Sequence, residues 1–469
     1  MLWDFNQFSQ NVAIINEEYN KYAYSDLQLE GDKLVESIGK RALIFNFCSN
    51  EEGSLLGYVT FINNHIVPVM LDSAINQDML NILLKTYKPE YLWLPSSMVE
   101  QFDFQKIHTT WEYTLLKTNY SQQFALHDDL ALLLTTSGST GSPKLVRQSY
   151  KNIIANIKSI VEYLALDSTE RPITTLPMNY TYGLSILNSH LYIGASIILT
   201  NKTLMQKEFW QQFRDNEATS FGGVPYTYEM LEKLKFFRMD TPSLRTMTQA
   251  GGKLSPELHK KFAEYAEQNG KRFFVMYGQT EATARMSYLP YKKALEKYGS
   301  MGIAIPGGEF FLLDVNGNII NETDAVGELL YKGDNVTLGY AECGEDLKKG
   351  DENGGMLLTG DMAKRDVDGY YYIVGRKKRF LKIFGNRVNL DEIEGMIKTA
   401  FPEIDCACGG SDDKMIIFIT EDTKKNDILA FLSEKTGLNK AAFRVSFIFK
   451  IPRNDSGKIL YSNLEETSR

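Results

Sequence analysis

An apolar run, Leu130 to Leu134, ends abruptly in Thr135, Thr136, Ser137, Gly138, Ser139, Thr140 and Gly141, with Lys144 close behind. Backbone N–H groups and hydroxyls dominate such a segment, and little side-chain bulk keeps a polyphosphate away. Lys144 adds a point charge suited to phosphate oxygens. The spacing is not that of a P-loop NTPase, which needs Gly directly before the lysine and Ser or Thr directly after it. Pro143 and Leu145 stand in those places. A polar surface loop without a ligand is the competing reading of the same composition.

The loop needs a scaffold, and the first third of the chain reads as one. Ala42–Phe47 and His65–Leu71 read as strands around a helical segment, Leu55–Asn63. After the loop, Ile153, Ile154, Ile157, Ile160, Val161 and Leu164 share one helical face. This alternation predicts an α/β fold of layered subdomains on a mainly parallel sheet, with ligands beyond the carboxyl ends of its strands. From about residue 300 to 375 the texture changes to short strands and turns (Phe310–Gly317, Gly327–Tyr331, Gly369–Gly375), which predicts a β-rich subdomain. The basic link Arg376–Arg379 then marks a boundary. The expected organisation is an N-terminal domain, 1–377, and a small α+β C-terminal domain, 378–469. The latter contains the segments Phe380–Phe384, Leu390–Thr399, Met415–Thr420, Asn426–Lys435 and Val445–Phe449.

Bulk properties exclude several classes. The 469 residues carry a net charge of −8, and no long basic run appears, which argues against nucleic-acid binding. Cys48, Cys343, Cys406 and Cys408 form no C-x-x-C pair and the five histidines are scattered, so neither a disulfide framework nor a zinc site is indicated. No apolar run approaches the roughly 18 residues of a membrane span, and neither terminus reads as a secretory or peroxisomal signal. The expectation is a cytoplasmic protein.

Five further segments follow the loop in order: Pro177–Leu184, Ala250–Lys253, Tyr277–Ala282, Thr359–Asp361 with Gly375–Arg376, and Pro452–Lys458. Each is weak alone. Together with the loop they resemble the adenylate-forming superfamily of acyl-CoA and aryl-CoA synthetases, adenylation domains and luciferases, over the whole chain. The resemblance implies that a carboxylic acid is joined to the α-phosphate of ATP, with release of pyrophosphate, and then passed to a thiol. It also implies that the C-terminal domain is mobile. The segment Thr135–Lys144 would hold the β- and γ-phosphates. Glu281 would bind Mg²⁺, as one or two carboxylates usually do beside phosphate oxygens. Thr280 would contact the α-phosphate. Gly251 and Gly252 would let the backbone approach the adenine and Tyr277 would stack on it, with Lys253 and Gly278 in the same nucleotide site. Asp361 would take the ribose hydroxyls with Arg376 as its partner. Lys458 would bridge the acid and the α-phosphate as the main catalytic cation.

For the thiol step the resemblance implies rotation of the small domain about Lys378, bringing in a thiol-tunnel strand around Lys382 and Gly385. The acid pocket would be framed by Tyr180, Tyr182, Tyr226, Ala250, Gly251 and Met286, which suggests a small or medium acid. Tyr180 stands where amino-acid-activating relatives carry an Asp, and a buried ammonium without a carboxylate is costly, so a free α-amino acid is disfavoured. CoA is the first choice of thiol, with a separate carrier protein as the alternative. Two rivals remain: a stand-alone adenylation enzyme loading an acid or amino acid onto a carrier protein, and a non-catalytic nucleotide-binding regulator. Presence of both Glu281 and Lys458 argues against the regulator.

Overall fold

The structure is a computed structural model that describes residues 2–121, 124–135, 144–384, 386–453 and 459–466. The chain forms two compact units, Met1–Phe310 with Tyr331–Leu357, and Phe311–Leu330 with Leu358–Arg469. The 377/378 boundary expected from the sequence lies inside the second of these.

In chain order, the strands of the first unit's two main sheets are β1 (Leu43–Cys48), β2 (Val67–Asp72), β3 (Tyr91–Pro95), β4 (Gln105–Thr110), β5 (Tyr113–Lys117), β6 (Leu130–Thr135), β7 (Leu145–Ser149), β8 (Ser220–Gly223), β9 (Thr246–Gln249), β10 (Arg272–Tyr277), β11 (Ser287–Tyr288), β12 (Ile303–Ala304) and β13 (Gly339–Ala341). The larger sheet has eight strands in the order β13-β7-β6-β2-β1-β3-β5-β4; the second has five, β8 to β12 in sequence. Helices α1 (Tyr150–Leu164) and α2 (Thr181–Tyr192) pack beside them. Strands β1 and β2 are buried throughout their apolar runs, as strands covered on both faces must be. The buried faces of α1 and α2, including Ile153, Ile157, Leu184 and Leu187, join Leu132 and Leu134 in one core.

The mainly parallel sheet expected from the sequence is corrected to a mixed one. Only β3-β1-β2-β6 is parallel, while β4, β5, β7 and β13 join antiparallel. Short connections explain two of these pairings, β4–β5 and β6–β7, because a parallel neighbour needs a crossover of about a dozen residues or more. Trp111 and Glu112, both at positive φ, turn β4 into β5, and β6 returns directly as β7.

The second unit holds most of a four-stranded sheet, in the order Gly308–Leu313, Val326–Gly333, β14 (Met356–Arg365) and β15 (Tyr371–Arg376). After it come a two-stranded ribbon, Phe380–Ile383 with Asn386–Asn389, helix α3 (Leu390–Ala400), and a three-stranded sheet of Cys406–Ser411, Lys414–Ile419 and Phe443–Phe447. Ile383, Ile393, Ile397, Ile417 and Ile428 form its core. Among the described residues no helix is long and apolar enough to cross a membrane.

Candidate active site

Thr135 ends β6 and pairs with Leu145 at the start of β7, so the two ends of the Thr135–Lys144 segment are held side by side. Tyr340 of β13 pairs with Val146 on the far side of β7. That register sets the Lys144 ammonium 3.6 Å from the centre of the Tyr340 ring and 3.8 Å from the Glu342 carboxylate. The Tyr340 hydroxyl donates to Glu281 Oε1 at 2.7 Å. Burial, reinforced by the Glu281 carboxylate, pushes the Tyr340 phenol up, so it stays a protonated donor. One aromatic ring therefore joins the lysine of the glycine-rich segment to the carboxylate expected to hold Mg²⁺. Strand β7 owes its position to Arg147, a fully buried cation bonded to Glu352 and to the carbonyls of Leu338 and Tyr340.

Glu281 sits in a single 3₁₀ turn, Thr280–Ala282, directly after β10. Its carbonyl accepts from the Thr337 N–H at 3.0 Å, and the Thr280 carbonyl accepts from Gln148 Nε2 at 3.5 Å. Thr283 and Ala284 then take φ of 51° and 91°, a strained elbow for non-glycine residues. Asn335 clamps it, donating from Nδ2 to the carbonyls of Ala282 (2.8 Å) and Arg285 (3.0 Å). Gly278 makes the elbow sterically possible, since a Cβ there would meet the Ala284 oxygen at 1.6 Å. Tyr277 lies at the end of β10, half-buried, with its hydroxyl accepting from Gln279 Nε2 at 3.0 Å.

The aromatic wall expected for the acid is partly assembled around β8 and β9. Tyr182 is buried and shares a 2.7 Å hydrogen bond with Thr248. Tyr180 meets it edge-on at 6.4 Å, and both pack with Ala250 and Val224. Gly251, at φ +84°, lies so close to Tyr180 that a Cβ would fall 2.5 Å from the phenol oxygen. Gly252 and Lys253 are exposed just beyond it, and the Gly252 carbonyl accepts from Gln249. Met286 is fully buried, whereas Tyr226 is exposed at the start of helix Pro225–Lys233.

In the second unit Asp361 and Arg376 face each other across β14 and β15, 2.8 Å apart. The carboxylate is buried and the guanidinium largely exposed. Residue 378 is the middle of a 3₁₀ turn, Lys377–Arg379, whose neighbours are anchored to different partners. Lys377 pairs with Glu328, and Arg379 pairs with Asp391 and Glu394 of α3. Lys382 is exposed on its ribbon strand, its N–H held by Asp412. Thr136, Ser137, Gly138, Ser139, Thr140, Gly141, Gly385 and Lys458 lie outside the described residues.

Tyr340, Asn335 and Arg285 escaped the sequence reading. Nothing local marks them, because their partners lie far along the chain; Tyr340 and Glu281 are 59 residues apart.

Residues 70–341 match the family described as AMP-binding enzyme, and the chain belongs to that family. The resemblance to adenylate-forming enzymes is thereby borne out. Among its relatives is the peroxisomal OPC-8:0-CoA ligase 1 of Arabidopsis thaliana, 30% identical over 72% of this chain but only 64% of that ligase. Several plant CoA ligases are likewise matched over less than two thirds of their own length. A 2-succinylbenzoate–CoA ligase from Enterococcus faecalis is 25% identical over 97% of this chain and 92% of its own. The fold is that of o-succinylbenzoate CoA synthetase from Bacillus subtilis, solved with an acyl-adenylate intermediate, at TM-score 0.80 and 20% identity over 98% of this chain and 97% of that one.

Proposed function

We propose that this chain is an ATP-dependent acid–thiol ligase. A carboxylate oxygen of the acid attacks the α-phosphorus of ATP, the bond to pyrophosphate breaks, and an acyl-adenylate forms. A thiol sulfur, its proton lost, then attacks the acyl carbon and AMP departs. CoA is the proposed thiol, in keeping with the CoA ligases among its relatives. The cytoplasm, which supplies ATP and CoA, is the proposed location.

The observation that carries this reading is the Lys144–Tyr340–Glu281 arrangement at the carboxyl end of β6. In-line displacement at phosphorus depends mostly on positioning and on neutralising negative oxygens. Lys144, freed from the ring by a stronger anion, would serve the terminal phosphates. Glu281 would hold Mg²⁺, which supplies charge neutralisation when bound. No group of three or more acidic, His or Cys side chains converges among the described residues. That fits an ion shared with phosphate oxygens rather than caged by protein. Asp361, paired with Arg376 at 2.8 Å, would accept from the ribose hydroxyls. Lys458 would draw acid and α-phosphate together. The anchoring of Lys377 and Arg379 to different partners supports residue 378 as the swivel for the second step.

The test is ATP–pyrophosphate exchange against a panel of fatty, aryl, short-chain and amino acids, followed by thioester detection with CoA and with a holo-carrier protein. Acid-dependent exchange and an acyl-CoA product are expected. No exchange with any acid would remove the ligase reading, and product only on the carrier would replace CoA.

A further inference from the structure

Arg285 follows the strained elbow and is only 2% exposed. Its Nε donates to Ser185 Oγ and its Nη1 to the Tyr163 hydroxyl, each at 3.0 Å. Nη1 also approaches the Met276 sulfur at 3.5 Å, and the guanidinium lies 5.2 Å from the centre of the Tyr182 ring. All these partners are neutral. Burial pushes the Tyr163 and Tyr182 phenols up, so neither supplies an anion. His190 nearby is held neutral, its pKa lowered to about 4 chiefly by burial. Among the described residues no carboxylate reaches ion-pair distance of Arg285.

Elsewhere the chain treats buried arginines differently. Arg147 has Glu352, and Arg379 has both Asp391 and Glu394. A guanidinium remains charged at any ordinary pH, and burying it unpaired is costly. Arg285 also lies beside the residues expected to frame the acid pocket. The Tyr182 ring that it faces packs against Tyr180 and Ala250, the wall expected to receive the acid. Ser185, which anchors Nε, lines a narrow cleft whose walls are part polar (Asn156, Asn188, Thr283) and part aliphatic (Ile157, Leu184). Nη2 donates to no described group, leaving donors for a planar oxyanion.

We propose that Arg285 is a specificity-determining residue, the counter-charge for a second carboxylate on the acid that this chain activates. The inference rests on the ligase reading and narrows its substrate to dicarboxylic acids. It also gives a second reason against amino acids, since a buried cation repels an ammonium.

The experiment compares kcat/KM for ATP–pyrophosphate exchange on matched pairs that differ by one carboxylate, butyrate with succinate and benzoate with phthalate, together with longer homologues. The full chain is assayed as wild type, R285M and R285K, with thermal melting of each as the folding control. Wild type should favour the dicarboxylic member of at least one pair by about tenfold or more, because a site built around a polar group rejects the analogue lacking it. R285M should lower that ratio at least about tenfold, chiefly through KM, and R285K should restore part of it. Exchange confined to monocarboxylic acids, or equal loss on both members of a pair in R285M, would overturn the assignment while leaving the ligase reading intact. If R285M fails to fold, the wild-type preference and the R285K ratio still decide. No exchange with any acid would sink the ligase reading itself.

Discussion

Replacing Tyr340 by Phe removes one hydroxyl and leaves the ring beneath Lys144. The lost bond is the 2.7 Å donation to Glu281 Oε1. Hydrogen bonds to charged groups contribute about 1.5–3 kcal/mol, and the half-buried position of Tyr340 argues for the lower end. If that bond orients the carboxylate for Mg²⁺, its loss weakens the apparent Mg²⁺ affinity by about tenfold, since each 1.4 kcal/mol is one decade. The assay is ATP–pyrophosphate exchange titrated with Mg²⁺ at fixed ATP and saturating acid. The half-saturation point should rise about tenfold in Y340F, while the maximal rate at high Mg²⁺ falls less. Melting temperatures separate this from general damage. A Mg²⁺ half-saturation within about twofold of wild type in Y340F, or one that improves, would refute the positioning role.

Lys458→Ala should lower the adenylation rate by about 10²–10³, comparable to losing one preorganised donor, and unchanged exchange would remove Lys458 from the mechanism. Lys378→Pro should spare pyrophosphate exchange but block thioester formation; equal loss of both steps would refute the swivel. Stability should fall as pH drops from 6.5 towards 4, because burial holds His190 and His259 at about 4 while unfolded histidine takes up protons near 6.5. The unfolded state binds more protons throughout that window, so stability rises with pH there. Replacing either histidine by Gln should reduce the slope of unfolding free energy against pH by up to about 1.4 kcal/mol per unit, read from denaturant titrations at several pH values.

Much of this fold was legible because its signals are local. The helical face of Ile153, Ile157 and Ile160 and the continuous apolar runs of β1 and β2 describe their own burial. What escaped depends on distant partners. Strand β7 carries an arginine where a buried strand should be apolar, and Glu352 with the carbonyls of Leu338, Tyr340, Lys349 and Gly350 makes Arg147 tolerable. The turn at Trp111–Glu112 uses no glycine or asparagine, so turn chemistry gave no sign of the antiparallel edge. The pairing of Asp361 with Arg376, expected from the resemblance, is explicit in the strand register. The ring of Tyr340 and the guanidinium of Arg285 were not legible, because a residue's charge partner, or lack of one, is a property of three dimensions.

The elbow at Thr283–Ala284 separates Glu281 from Arg285 along one short piece of chain. Asn335 fixes the carbonyls on either side, and Gly278 bears on its underside. Asn335 thereby ties the backbone of Arg285 to the turn that carries Glu281, so a change at 335 would be felt on both sides of the bend.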